Sequence, residues 1–436
     1  MARYELDDGK SQKFWEIEVE GSTFTVRYGR IGTNGQSKTK VFSSPEEASK
    51  EAEKITKSKV KKGYAPVVAV VRAEPGRNPA LEQAIVEDSD NPDPWRVYAD
   101  WLMGEGDPRG DFVMAFANET DTEALLKANE KAFMGPFAGE FAPFVKVEWA
   151  FGFWKSLAFG NFEYEDELPE GLSSFGALIG RALRHPSARF LQELRLGLPA
   201  DQEYEHEWQD SINAIVKNGI RRGVKRLVVG DFEYPDDTEI SWTNIGSLAD
   251  LWSVLPDLEH LEVQGGNISL GAMEAPRLKH LELRTGGLPK EPAERIAQAT
   301  LPALERLDIW WGTDEYGLEG DVSHAAAVLE AAARWPKLKS LGLMNSEFAD
   351  AIPAQVVSAA VLPQLQVLNL SMGTMTDAGA QVLLDNADKL VHLTQLNLNE
   401  NFITDDVAAQ LAKALPNATL EGQEEPDEYL FVSVGE

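Results

Sequence analysis

From Leu191 to Leu398 the chain repeats one apolar pattern, Leu-x-x-Leu-x-Leu, with Val or Ile at some places. It recurs at Leu191/Leu194/Leu196, Val224/Leu227/Val229, Leu258/Leu261/Val263, Leu278/Leu281/Leu283, Leu304/Leu307/Ile309, Leu338/Leu341/Leu343, Leu365/Leu368/Leu370 and Leu393/Leu396/Leu398. The alternation inside each copy is that of a short strand with one buried face. Successive copies start 33, 34, 20, 26, 34, 27 and 28 residues apart. Helical patterns at Asp377–Asp385 and Asp405–Ala414 close the last two units. One template repeated this often predicts stacked units, each burying its leucines against the next. The expected fold is therefore α/β: a curved parallel sheet lined by helices. A new β pattern at Phe153–Phe159 precedes the array, and Lys155–Phe159 reads as its worn first strand.

Upstream the pattern changes. Phe14–Val19, Thr23–Gly29 and Lys38–Phe42 alternate as strands, with Glu20-Gly21-Ser22 as a turn. Ser44-Pro45-Glu46-Glu47 starts a helix that runs to about Lys62 and stops before Gly63. Lys50, Lys54, Lys57 and Lys61 fall on one face of it. Pro79–Glu87 and Pro94–Met103 form a helical hairpin across Asp90-Asn91-Pro92-Asp93, and residues 119–148 read as irregular helix. This gives a small α+β domain at 1–72, a linker at 73–78, a helical segment at 79–148 and the repeat array at 149–436. Asp100, Glu105, Asp107 and Asp111 lack the spacing of a calcium loop. They read as helix caps, with an Asp–Arg109 pair.

Within each repeat the residues between the leucines point away from the core, onto the concave face. Across strands they form rows. One carries Glu262, Glu282 and Asp308, the next carries His260, His280 and Arg306, and Trp310 stands beside them. Three uses compete for this patch: a surface for a basic protein partner, a self-neutralising ladder, or a metal or acid–base site. No metal-ligand spacing motif supports the last.

Charge sharpens the division. The 436 residues carry a net charge of −30, which on its face argues against nucleic acid. Residues 1–72, however, hold 14 Lys and Arg against 10 Asp and Glu, a net +4, which leaves −34 on the rest. The absence of cysteine excludes disulfide frameworks, thiolate metal sites and cysteine nucleophiles. No P-loop, dinucleotide fingerprint, nucleophile elbow or HExxH motif is present, so no cofactor and no enzyme activity are expected. With no signal segment and no long apolar run, a cytoplasmic location is expected.

The first segment resembles the WGR domain through Phe14-Trp15-Glu16, Val26-Arg27-Tyr28-Gly29-Arg30-Ile31-Gly32, Gln36 and Lys61-Lys62-Gly63-Tyr64. The resemblance implies contact with nucleic acid. In poly(ADP-ribose) polymerases this module touches DNA ends, its aromatic packing on a terminal sugar and its arginine bridging domains. Here Tyr28 takes the place of the signature tryptophan, and no ADP-ribosyltransferase segment is recognisable downstream. The candidate nucleic-acid surface is Tyr28, Gly29, Arg30, Lys38, Lys50, Lys54, Lys57 and Lys61. The lysines serve equally as a solvated helix face, and Arg30 as an internal strut. Residues 81–116 resemble a bacterial repeat-companion domain through Arg96–Leu102 and Gly106–Gly110. Residues from about 190 resemble an uncharacterised bacterial leucine-rich-repeat family, of the molybdate-metabolism-regulator kind, through Gly230–Asp236, Asp314–Gly317 and Ser371–Asp377. The expected function is a non-enzymatic interaction protein, with the acidic repeats binding a protein and the basic domain touching DNA or RNA. A pure protein scaffold or an immunity or regulatory protein with no nucleic-acid binding, and an enzyme at the concave patch, are the alternatives.

Overall fold

The computed structural model describes residues 2–7, 12–30, 35–62, 64–66, 77–163, 168–200, 205–425 and 429–436. The chain divides into two compact units, Met1–Asn78 and Pro79–Glu436. Residues 73–76 of the expected linker, Ile31–Asn34 of the glycine loop and Gly63 lie outside the described residues.

The first unit is a five-stranded antiparallel sheet with one helix. In chain order the elements are β1 (Ala2–Asp7), β2 (Gln12–Glu20), β3 (Thr23–Arg30), β4 (Gln36–Val41), α1 (Pro45–Lys61) and β5 (Ala65–Pro66), and the strands lie in the order β4-β3-β2-β1-β5. Two of these strands, β1 and β5, were not expected from the sequence, because one is short and flanked by polar residues and the other is only two residues long. The Ser44 side chain accepts the Glu47 N–H, Pro45 sits in the first turn, and Lys59 and Lys61 occupy the last turn. Each of these choices favours a helix starting and ending there. The small Ala48 and Ala52 are the buried residues of α1, and Ala52 packs in one cluster with Trp15, Ile17 and Phe24.

The second unit opens with α2 (Pro79–Glu87), α3 (Pro92–Gly104), α4 (Arg109–Ala117) and α5 (Glu123–Met134). The start of α3 falls two residues before the expected Pro94, because the Asn91 side chain accepts the Asp93 N–H and caps there. These helices share a core with the strands that follow. Trp95 stacks on Phe151 at 4.5 Å and meets Phe190 edge-on at 4.8 Å. Arg189 donates to the Tyr98 hydroxyl at 2.6 Å and pairs with Glu82 at 3.5 Å. Asp107 accepts the Arg109 N–H at 2.9 Å, as a cap, and its carboxylate pairs with the Arg109 guanidinium at 3.5 Å.

The strands that follow are β6 (Val145–Ala150), β7 (Phe153–Phe159), β8 (Glu193–Leu196), β9 (His206–Glu207), β10 (Arg226–Val229), β11 (Thr243–Ser247), β12 (His260–Gln264), β13 (Gly266–Ser269), β14 (His280–Arg284), β15 (Arg306–Gly312), β16 (Ser340–Ser346), β17 (Val367–Asn369), β18 (Gln395–Asn397) and β19 (Ala418–Thr419). Between them run α6 (Phe175–Leu183), α7 (Gln209–Lys217), α8 (Leu251–Val254), α9 (Lys290–Gln298), α10 (Val322–Ala332), α11 (Ile352–Ser358), α12 (Asp377–Asp385) and α13 (Asp405–Ala414). Eleven strands form one sheet in the order β6-β7-β8-β10-β12-β14-β15-β16-β17-β18-β19, while β9, β11 and β13 form a small second sheet. The β6–β7 pair is antiparallel and the other pairs of the large sheet are parallel.

Register follows the leucines. Leu194, Leu227, Leu261, Leu281, Leu307, Leu341, Leu368 and Leu396 are direct cross-strand partners in one continuous row. All eight are buried in a single apolar core. Each such side chain contributes about 1.5–3 kcal/mol of transfer free energy. A one-residue slip would turn the whole set outward, so register is tightly specified. A backbone ladder runs just before the strands, where each entry residue donates to its counterpart one strand back: Lys279 to Glu259, Glu305 to Lys279, Lys339 to Glu305 and Gln366 to Lys339, at 2.7–2.8 Å.

Within the second unit, carboxylates also tie successive strand–helix segments together at the helix starts. Asp350 accepts the backbone N–H groups of Thr376 and Gly379 at the head of α12, at 2.7 and 2.9 Å. Asp377 accepts the N–H and hydroxyl of Thr404 at the head of α13, both at 2.9 Å. Asp210 accepts the Ser174 hydroxyl and Gly176 N–H at the head of α6, at 2.6 and 3.0 Å. At Gly312, φ is +75° and a Cβ would lie 1.8 Å from the Gly286 carbonyl oxygen, so no other residue fits. Residues 433–436 return to this end of the strands. Val434 exchanges two hydrogen bonds with the buried Asn345 side chain, and the Tyr316 hydroxyl donates to Glu436.

His185 lies flat on Trp154, with ring centroids 4.5 Å apart, and its Nδ1 accepts the Ser187 N–H at 3.2 Å. Burial, aided by the Arg109 charge, pushes its pKa down to about 4. The unfolded chain therefore takes up this proton first on acidification. The stability His185 contributes is fully present above about pH 6.5 and is lost as pH falls toward 4. Urea titrations across that window are expected to show a falling midpoint, with a shallower fall in His185→Gln.

Candidate functional site

The leucine register fixes what appears on the opposite face of the large sheet. Glu193, Arg226, His260, His280, Arg306 and Ser340 are cross-strand partners in one row, and Arg195, Val228, Glu262, Glu282, Asp308 and Gly342 in the next. Beyond them, Gln264 pairs with Arg284, and Trp310 with Met344. His260, Glu262, His280, Glu282, Arg306, Asp308 and Trp310 therefore stand together on β12, β14 and β15.

Their charges are matched at short range. Arg226 donates to Glu262 at 2.9 Å and lies 3.6 Å from Glu193. Arg284 donates to Glu282 at 2.6 Å, and the Arg306 Nε donates to Asp308. Arg195 binds both oxygens of Asp231, at 2.8 and 2.6 Å. Glu282 and Asp308 are buried, at 7% and 2% exposure, so the arginines are needed to keep charge there. The arrangement is thus a self-neutralised ladder of alternating charge. Arg195, Asp231, Glu262, Gln264 and Arg284 line a polar cavity of about 130 Å³ beside it.

His260 and His280 meet edge-to-face at 5.9 Å. The His280 Nε2 lies 3.6 Å from Glu282 Oε2 and 3.9 Å from Asp308 Oδ2, sealed from solvent and without a hydrogen bond. Burial, with repulsion from Arg306, lowers the His280 pKa against the pull of Glu282, Asp308 and Glu262. Burial raises the Asp308 carboxyl, and the Arg306 hydrogen bond and charge hold it back. Trp310 is half-buried, with the Arg284 guanidinium 6.0 Å from its ring centroid. The partners of the acids were within reach of sequence reasoning: Arg284 is two residues from Glu282 on the same strand face, and Arg306 two from Asp308. The Arg195–Asp231 fork had no such signal, because Asp231 lies beyond the end of β10.

In the first unit the candidate residues divide between surfaces. Tyr28 is half-buried with Val26 on the face that packs against Trp15 and α1. Lys38 pairs with Val26 on the edge strand β4, on that same face, and is exposed. Lys50, Lys54, Lys57 and Lys61 are all exposed, about half a turn around α1 from the buried Ala48 and Ala52, facing away from the sheet. Lys54 is 3.5 Å from Glu51 and Lys57 is 3.8 Å from Glu53. Gly29 pairs with Phe14 on the other face, where Glu16 is buried against Arg27 at 2.6 Å, and Arg30 is exposed at the end of β3. Missing from the sequence-derived set is Lys59, whose ammonium lies 5.5 Å from the Trp15 ring and 4.8 Å from the Tyr64 ring. Burial, with the Lys62 and Lys13 charges, lowers its pKa.

Residues 2–70 match the WGR domain family. The N-terminal unit carries a WGR domain. Two proteins of Escherichia coli K12 are similar to this chain over a short segment. The uncharacterized protein YfeS is 45% identical over 62 residues, which is 14% of this chain and 25% of that protein. Protein YehF is 41% identical over 64 residues, 15% of this chain and 23% of that protein. The chain thus spans about a quarter of each. A crystal structure of a Bacteroides fragilis protein from structural genomics is similar along 99% of both chains, with 27% identity and a TM-score of 0.56. Among the described residues, no helix is long and apolar enough to cross a membrane. In the WGR domain, then, Tyr28 and Lys38 share the sheet face that α1 covers, while the four α1 lysines form a separate outer stripe.

The ladder makes a specific demand on stability. Arg306→Met leaves Asp308 buried without its countercharge, and is expected to cost roughly 1–3 kcal/mol at neutral pH. Adding Asp308→Asn should recover most of that loss in urea titrations.

Proposed function

We propose that the chain is a non-enzymatic interaction protein. In this reading the second unit is a leucine-rich-repeat solenoid whose concave face binds a protein partner, and the WGR domain contacts nucleic acid through α1. The observation that carries the first half is the unbroken register of β8 to β18, which sets polar residues in rows opposite a continuous leucine core. Such a surface reads a partner by matched polar contacts over many strands, with Trp310 as an aromatic anchor. Because Glu262, Glu282 and Asp308 are already paired with arginines, the partner it fits has both charge signs and is not a simple polycation.

Support for the second half is the exposed stripe of Lys50, Lys54, Lys57 and Lys61 on a domain of net positive charge. A stripe facing away from Tyr28 favours phosphate contact along a backbone, without reading bases or ends. One observation favours a pure protein scaffold instead: Lys54 and Lys57 have acidic neighbours on α1 itself.

Fluorescence anisotropy of the full chain with a short labelled DNA duplex separates the two. Four phosphate contacts give a log–log salt slope of about −3.6, or a loss of roughly 100-fold between about 50 and 200 mM salt. Changing Lys50, Lys54, Lys57 and Lys61 to Gln is expected to abolish that slope. If the unaltered chain shows no salt-dependent binding at low salt, the nucleic-acid half is wrong and the scaffold reading stands.

A further inference from the structure

We propose that His280, Glu282 and Asp308 form a binding site for a divalent transition-metal ion of the zinc kind. This goes beyond the interaction reading and does not depend on it. Among the described residues, these three are the group of metal-ligating side chains whose donor atoms all lie within 4.8 Å of one another.

Three features point to an ion and not merely to a cluster of acids. The first is the chemistry of the donor set. One imidazole nitrogen and two carboxylate oxygens suit zinc and its neighbours, whereas calcium and magnesium seek all-oxygen shells with more ligands.

The second is the state of the histidine. Its Nε2 faces both carboxylates, is cut off from solvent, and makes no hydrogen bond. Buried ring nitrogens ordinarily find a partner. A metal ion would satisfy this one.

The third is spacing. A tetrahedral zinc ion with bonds of about 2.0–2.2 Å sets its ligand atoms roughly 3.3–3.6 Å apart. Nε2 lies 3.6 Å from Glu282 Oε2 and 3.9 Å from Asp308 Oδ2. All three donor atoms lie within 4.8 Å of one another, and rotation of the carboxylates would bring them to that spacing.

The fold supplies the rigidity such a site needs. His280 and Glu282 are two apart on β14, so they share a face, and Asp308 is the cross-strand partner of Glu282 on β15. Arg284 holds Glu282 by Oε1, which leaves Oε2 turned toward His280. Arg306 is the stand-in cation: its Nε donates to Asp308 Oδ2, the oxygen an ion would take. Its side chain is 53% exposed, so it can swing out to solvent and surrender that oxygen. Exchange of one cation for another leaves no buried charge unpaired.

The test is cobalt titration of the full chain followed by visible absorbance, with zinc as competitor. One cobalt ion per chain is expected, with a low-symmetry band that zinc abolishes. His280→Gln should remove the band, while His260→Gln, which alters the neighbouring ring, should leave it intact. Arg306→Met should tighten binding by roughly tenfold or more, because a competing charge is gone. A gain cannot arise from misfolding, so this variant keeps the test decisive if His280→Gln folds poorly. No band with the unaltered chain overturns the proposal. So does a band that survives His280→Gln unchanged, which would mark binding to the acidic surface. Weaker or unchanged binding in Arg306→Met overturns it as well.

Discussion

The second unit depends on one constraint: its leucines must stay in register from strand to strand. Each strand is short, and two to six residues of parallel pairing are a weak association. What makes it firm is that the side chains at matching positions fall into one continuous apolar core shared with the helices. Slipping a single strand by one residue would turn its leucines out of that core and its polar residues into it. The placement of His280 beside Glu282 and Asp308 is therefore a consequence of where leucines occur, decided on the face of the sheet that carries no chemistry.

This is also why so much could be read from the sequence. The rows of facing residues follow from the leucine template by counting, and β14 and β15 pair as that count requires. Helices α12 and α13 begin and end where their patterns do, since Thr376 caps the first and apolar periodicity bounds both. Less legible was anything set by contacts across long stretches of chain. The helices of residues 79–134 look independent in sequence, yet Trp95 and Tyr98 are buried against Phe153 and Phe190. The short strands β1 and β5 pair with each other at the sheet edge, and neither carries a strong local pattern. In the WGR domain the lysine stripe was plain in the spacing, but its separation from Tyr28 was not, because a helix pattern does not say which strand face the helix covers.

Net charge is a poor guide to the local field here. Most of the acidic excess lies in the second unit, yet the most buried carboxylates on its ladder face each have an arginine within hydrogen-bonding distance. Low local dielectric magnifies any unpaired charge, so burial and pairing come together. The ladder is then a surface of high polarity and little local charge, set within a strongly acidic chain.

The carboxylates of Asp350 and Asp377 give the stack a mechanical character. Each closes the exposed head of a helix that belongs to the following unit. A crack opened between two units would strip those N–H groups of their acceptors at the same moment as it wetted the leucines. Separation is therefore resisted at both the core and the rim of each joint. Opening at such a joint is thus an all-or-none event, in which the carboxylate bonds and the leucine contacts are lost together.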